Sequence, residues 1–139
     1  MKLQILRYYK DSRTMKGTLM VDGTPFCETR EANSVLHQKY ILPAGEYRCK
    51  CFASALSPMT RKVCRERGKA AMMVGFDVVR QGKVGMICLG QADPSAPAEE
   101  RELDRQQETF EAFTGKVYKA YSEDESITLE IADPVEPDM

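Results

Sequence analysis

The sequence has no apolar run near the roughly 18 residues that a membrane-spanning helix requires, and its start, MKLQILRYYKDSR, lacks the uninterrupted apolar segment of about 7 to 15 residues that marks a secretory signal. A soluble, cytoplasmic chain with no membrane partner is the expectation. Histidine is nearly missing as well, since His37 stands alone. Cys49 and Cys51 form a C-x-C pair, but no second pair follows at finger spacing, so neither a metal nor another cofactor is expected. The cysteines Cys27, Cys49, Cys51, Cys64 and Cys88 are odd in number, which leaves at least one unpaired within a monomer. Reduced thiols are therefore expected instead of a disulfide framework. There is no internal repeat, and no aromatic residue is interleaved with the basic stretch 61 to 69. That absence of stacking groups argues against nucleic acid as a partner.

What is present fits one ordinary domain. The chain has 139 residues, 42% of them hydrophobic and 29% charged, enough to bury a single core. Charge is unevenly distributed: residues 1 to 92 carry 16 Lys and Arg against 7 Asp and Glu, a net of +9, whereas residues 93 to 139 carry 4 against 14, a net of −10. Two packed halves that neutralise each other explain this split more economically than a basic surface awaiting a polyanion.

Residues 2 to 9 and 16 to 23 are rich in apolar and aromatic residues around a polar connection, which predicts two antiparallel strands. Asp22 and Gly23 supply a tight turn, so residues 24 to 29 return along the same sheet. A loop is expected over 30 to 40. Residues 46 to 52 alternate, with Tyr47, Cys49 and Cys51 on one side, the period of a half-buried strand. Residues 70 to 79 and 84 to 90 read as two inner strands in hairpin relation across RQGK.

Two segments have helix signals. In SPMTRKVCRERG, residues 57 to 68, Ser57 and Pro58 suit a helix start and Gly68 its end, which predicts a short basic helix presenting Arg61, Lys62 and Arg65. After a Pro/Ala linker over 91 to 100, Leu103, Phe110, Phe113, Val117 and Tyr121 recur at amphipathic spacing and predict one long helix, with a bend at Gly115. ITLEIA, from 127 to 132, is a last alternating strand with Ile127, Leu129 and Ile131 inward. The fold class is thus α+β: a single β-rich domain over 1 to 132, mostly antiparallel sheet or open barrel, with an acidic, proline-containing tail over 133 to 139.

The opening LQILRYYKDSRTMKGTLMVDGTPFCETRE, then ILPAGEYRCKC, SPMTRKV and the closing SITLEI, resemble a family of small phage, prophage and bacterial proteins grouped as a domain of unknown function. In that family the stretch matching FDVVRQGKVGMICLG carries a histidine and a Gly-Cys step, an arrangement similar to the catalytic signature of L,D-transpeptidases. Those enzymes use a cysteine nucleophile to cross-link peptidoglycan stem peptides. Here Met86 follows Gly85 where the family places its cysteine, and no histidine lies between Phe76 and Gly90. A thioether has no ionisable proton to lose, so the matched position cannot supply the nucleophile.

Cys88 is on the same strand, two residues further and about 6.5 to 7 Å away, beyond the tolerance of an acyl-transfer constellation. Its neighbours Ile87 and Leu89 predict a buried, inert thiol. The resemblance therefore implies a degenerate, non-catalytic binding or structural module, with a phage or host protein as partner and association with a virion as its setting. The alternatives are a cysteine-dependent cell-wall enzyme built on Cys88 and His37, and a polyanion-binding module through residues 61 to 69. Arg80 and Lys83 between the inner strands are further candidates for holding an anionic ligand.

Overall fold

Alternation fixes the first strands. Leu3, Ile5 and Arg7 are buried while Lys2 and Leu6 are exposed, and the period continues through Met15, Gly17 and Leu19, then Cys27, Thr29 and Glu31. The structure, a computed structural model, describes residues 1 to 33, 44 to 51, 60 to 67, 70 to 77 and 87 to 134. Its elements are β1 (Lys2–Lys10), β2 (Thr14–Val21), β3 (Thr24–Ala32), β4 (Gly45–Cys51), β5 (Thr60–Arg67), β6 (Ala70–Asp77), β7 (Ile87–Gly90), a 3-10 turn (Ala98–Glu100), α1 (Gln106–Ser122) and β8 (Ile127–Ala132). The α+β class holds.

The strands close into a barrel in the order β1-β2-β3-β7-β6-β5-β4-β8, so the sheet has no open edge. Most ladders are antiparallel, as expected. Two are parallel: β1 beside β8, and β6 beside β7. The Asp22-Gly23 turn between β2 and β3 is confirmed, with φ of 49° and 83° at its two residues, the left-handed geometry that a two-residue hairpin needs.

Inside, Leu3, Ile5, Leu19, Cys27, Ile87, Leu89, Ile127, Leu129 and Ile131 form one cluster with Phe110, Phe113, Val117 and Ala120 of α1. Phe26 borders this cluster, 6.4 Å from the Phe113 ring. The expected inward face of β8 and the Phe110, Phe113 and Val117 stripe are therefore observed. Tyr121 is not part of the stripe; it is exposed, and Ala120 is buried in its stead.

Several expectations need correction. The segment of the short basic helix is the strand β5, paired to β4 on one side and β6 on the other. Val63 offered a helix too little apolar surface to bury, whereas a strand in a closed barrel gains hydrogen bonds on both sides. The premise that Arg61, Lys62 and Arg65 share one helical surface is thereby removed. The hairpin between residues 70 to 79 and 84 to 90 is also replaced, because Phe76 pairs with Ile87 and Asp77 with Cys88 in a parallel ladder. Direction is imposed by the outer neighbours: β7 runs antiparallel to β3 and β6 antiparallel to β5, which leaves the two side by side in one sense.

Residues 30 to 32 belong to β3, not to a loop. The long helix begins at Gln106, after Asp104 has exchanged two backbone hydrogen bonds with Gln91, at 2.7 and 2.8 Å. Gly90 permits this approach: a Cβ there would stand 2.8 Å from the Asp104 carbonyl oxygen. α1 runs unbroken through Gly115, which is exposed with open space where a Cβ would go. Among the described residues no helix is long and apolar enough to cross a membrane.

Candidate functional site

Of the residues singled out in the sequence, His37, Arg80 and Lys83 lie outside the described residues. Arg61, Lys62 and Arg65 are on β5. Cys88 is described, and the expectation of full burial is corrected: it is half-buried, between the fully inward Ile87 and Leu89. Strand alternation explains this, since a residue between two inward neighbours must point to the opposite face. Of the two cysteines whose side chains are described, Cys27 is the one inside the barrel, and burial, with a smaller contribution from the charge of Glu28, pushes it up to about 12 against a backbone hydrogen bond at Gly90. Such a thiol carries almost no thiolate at neutral pH. Among the described residues no three His, Cys, Asp or Glu side chains converge as metal ligands.

The polar groups that the barrel does assemble were not anticipated. At the inward position after Leu3 and Ile5, Arg7 donates from Nε to Glu31 Oε2 at 3.0 Å and from Nη2 to Glu31 Oε1 at 2.8 Å. Its Nη1 donates to Asp133 Oδ1 at 2.9 Å. Both Arg7 and Glu31 are buried, so this bidentate pair sits in the barrel interior and Asp133 reaches it from the surface. Burial alone would lower the guanidinium pKa, but the two carboxylates outweigh it and the net direction is upward. The sequence signal was there: a charge at an inward position of β1, and another at an inward position of β3.

Gly17 makes room for this layer. A Cβ on it would meet Leu6 O at 2.9 Å, Thr29 Oγ1 at 3.1 Å and Arg7 Cα at 3.2 Å. Opposite Gly17 the register of β1 slips between Arg7 and Tyr9, a bulge with Tyr8 as its extra residue; Tyr8 itself is on the outer face, as alternation after the inward Arg7 requires. Thr29 Oγ1 is buried without a hydrogen-bond partner.

On that outer face lies a cleft of about 200 Å³, open to solvent, lined by Tyr8, Lys16, Glu28, Thr29, Arg30, Ala92, Arg101 and Leu103. Its floor is β1 to β3 and its wall is the segment between β7 and α1. Tyr8 donates to Glu28 Oε2 at 2.9 Å, and Thr18 Oγ1 donates to Glu28 Oε1 at 3.3 Å. Arg101 stands 5.1 Å from the centre of the Tyr8 ring, within cation–π range. Its Nε donates to Ala96 O and its Nη2 to Pro94 O, both at 3.0 Å. Lys16 Nζ holds the wall by donating to Ala98 O at 3.0 Å and Glu99 O at 3.1 Å.

Partial burial, reinforced by Glu28, raises the Tyr8 pKa against the opposing effect of Arg101. The phenol is thus a hydrogen-bond donor at neutral pH, not a base. Arg30 is half-buried in the cleft and forms no hydrogen bond or ion pair with another described residue. The arrangement can bind a small polar group; Cys88, a half-buried thiol on the same outer face, is the direct ladder partner of Arg30 and lies outside the lining residues.

No protein family, curated protein or solved structure matches this chain.

Proposed function

We propose that the protein is a non-catalytic member of the phage-associated family it resembles, a binding or structural module whose contact surface is the outer cleft. The observation that carries this reading is where space is found. The described part of the barrel interior is filled by packed side chains and the Arg7 pair, while the recess on the outer face is shallow and encloses only about 10 Å³, room for about one water, against the roughly 300 to 1,000 Å³ of a typical small-molecule site. So shallow a recess suits the polar tip of one partner side chain laid against the surface better than an enclosed stem peptide. The cytoplasm of a phage-bearing cell, or a virion, is the setting that goes with it.

Incubation with a peptidoglycan stem peptide tests the proposal. No cross-linked or cleaved product is expected; product formation abolished by Cys88→Ser would overturn it. A second reading, a cysteine-dependent cell-wall enzyme, is favoured by the half-exposed position of Cys88. Alkylation by iodoacetamide separates the two, because a catalytic thiol reacts well below pH 8 and an ordinary one follows a pKa near 8.5.

A further inference from the structure

We infer that the outer cleft binds a carboxylate, the acidic side chain of a partner protein, with Arg30 as its anchor. This rests on the proposed role of the cleft as a contact surface and names the ligand of that surface. Lys16 and Arg30 are direct partners in the β2/β3 ladder. Like charges in that relation repel across the sheet and destabilise it. Among the described residues neither side chain forms an ion pair: Lys16 donates to two backbone carbonyls and feels Asp11 only through space, and the Arg30 guanidinium has no hydrogen bond.

Arg101 likewise spends its Nε and Nη2 on backbone carbonyls, which satisfy N–H groups without neutralising the charge. Glu28 is the one acid among the lining residues, and it is engaged by Tyr8 and Thr18. Asp93, whose charge reaches Arg101 from the wall, is held by Ser95. Three cations against one carboxylate therefore line the recess, and among the described residues the Arg30 guanidinium is the one with neither a hydrogen bond nor an ion pair.

The chemistry of the recess selects the anion. A guanidinium presents parallel N–H groups that match the two oxygens of a carboxylate. Glu28 in the same recess repels a second negative charge, which disfavours a phosphate dianion relative to a monoanion. The Tyr8 ring and Leu103 border the recess and offer apolar surface to the methylenes of a glutamate or aspartate side chain.

The test is an amide NMR titration of the full chain with N-acetyl-glutamate methylamide, with the glutamine analogue and inorganic phosphate as separate arms at matched ionic strength. Saturable shifts are expected at Glu28, Arg30, Ala92 and Leu103, with half-saturation on the order of millimolar for so small a ligand. Arg30→Gln should weaken binding at least tenfold, a change of about 1.4 kcal/mol, while Arg30→Lys retains part of it. Equal saturation by the glutamine analogue, tighter saturation by phosphate, undiminished binding in folded Arg30→Gln, or no saturable shift in the parent chain would each overturn the inference. Should Arg30→Gln unfold the chain, Lys16→Gln carries the same comparison. Stem-peptide turnover would sink the proposed function, whereas a silent titration sinks the ligand assignment alone.

Discussion

Arg7 and Arg30 stand on opposite faces of the same sheet and have been treated oppositely by the fold. Arg7 is inside the barrel with a bidentate carboxylate and a second acid from beyond β8. Arg30 is outside, half-buried, directly across from another cation and without an ion pair among the described residues, Glu28 beside it being engaged by Tyr8 and Thr18. The difference follows from where water is. A buried guanidinium with no partner would carry a desolvation cost of several kcal/mol, so folding must supply its counter-charge from within the chain. An outer one can be left to solvent, or to a ligand. Charge that the fold itself satisfies reports on stability, and charge that it leaves opposed reports on what the surface meets.

The largest way to break the comparison is Arg7→Met. It strands Glu31 in the interior, and a loss of about 3 to 5 kcal/mol in urea unfolding is expected. Adding Glu31→Leu should recover most of that loss, because the stranded charge and not the missing bond carries the cost; a double variant as unstable as the single one would contradict this.

Next in size is the alkaline limb of the stability curve. The folded pKa of Cys27 lies above its unfolded value, so its contribution is fully present below pH 9 and is lost as pH rises from about 9 towards 12. Across that window, stability should fall at roughly 1.4 kcal/mol per pH unit from this group. Urea melts of Cys27→Val at the same pH values should lack that component.

A smaller effect sharpens the contrast from the interior side. Thr29 Oγ1 is a buried polar atom without a partner, the one inward group of this layer that the fold leaves unsatisfied. Thr29→Val keeps the shape and removes the hydroxyl, and a gain of about 1 kcal/mol in the unfolding free energy is expected. A loss of that size would mean that the hydroxyl is hydrogen-bonded in solution.

Much of the fold was legible in the sequence because strand alternation depends on neighbours two residues apart. Ile127, Leu129 and Ile131 were placed by period alone, and so was the Phe110, Phe113 and Val117 stripe. What period cannot give is the direction of a strand among its neighbours. The parallel ladder of β6 and β7 is set by β5 and β3, which are distant in sequence, and the same holds for β5, whose local helix signals were overridden by pairing on both sides.

The site was less legible still. Cys88 drew attention through a motif, yet alternation around Ile87 and Leu89 already implied an outward thiol. Lys16, Glu28, Arg30 and Arg101 come from three separate segments, and their convergence depends on the β2/β3 register and on the segment after β7 folding back over the sheet. No local pattern encodes that meeting.

The smallest expected effect is also the most direct test. In ligand-free buffer, Arg30→Gln should raise the unfolding free energy by about 0.2 to 1 kcal/mol, because it removes the repulsion with Lys16 and breaks no bond. A chain whose surface keeps an unfavourable cation pair for a partner must become more stable when that pair is dissolved. If urea melts instead show Arg30→Gln to be less stable than the parent, Arg30 serves the fold, and the contrast with Arg7 disappears.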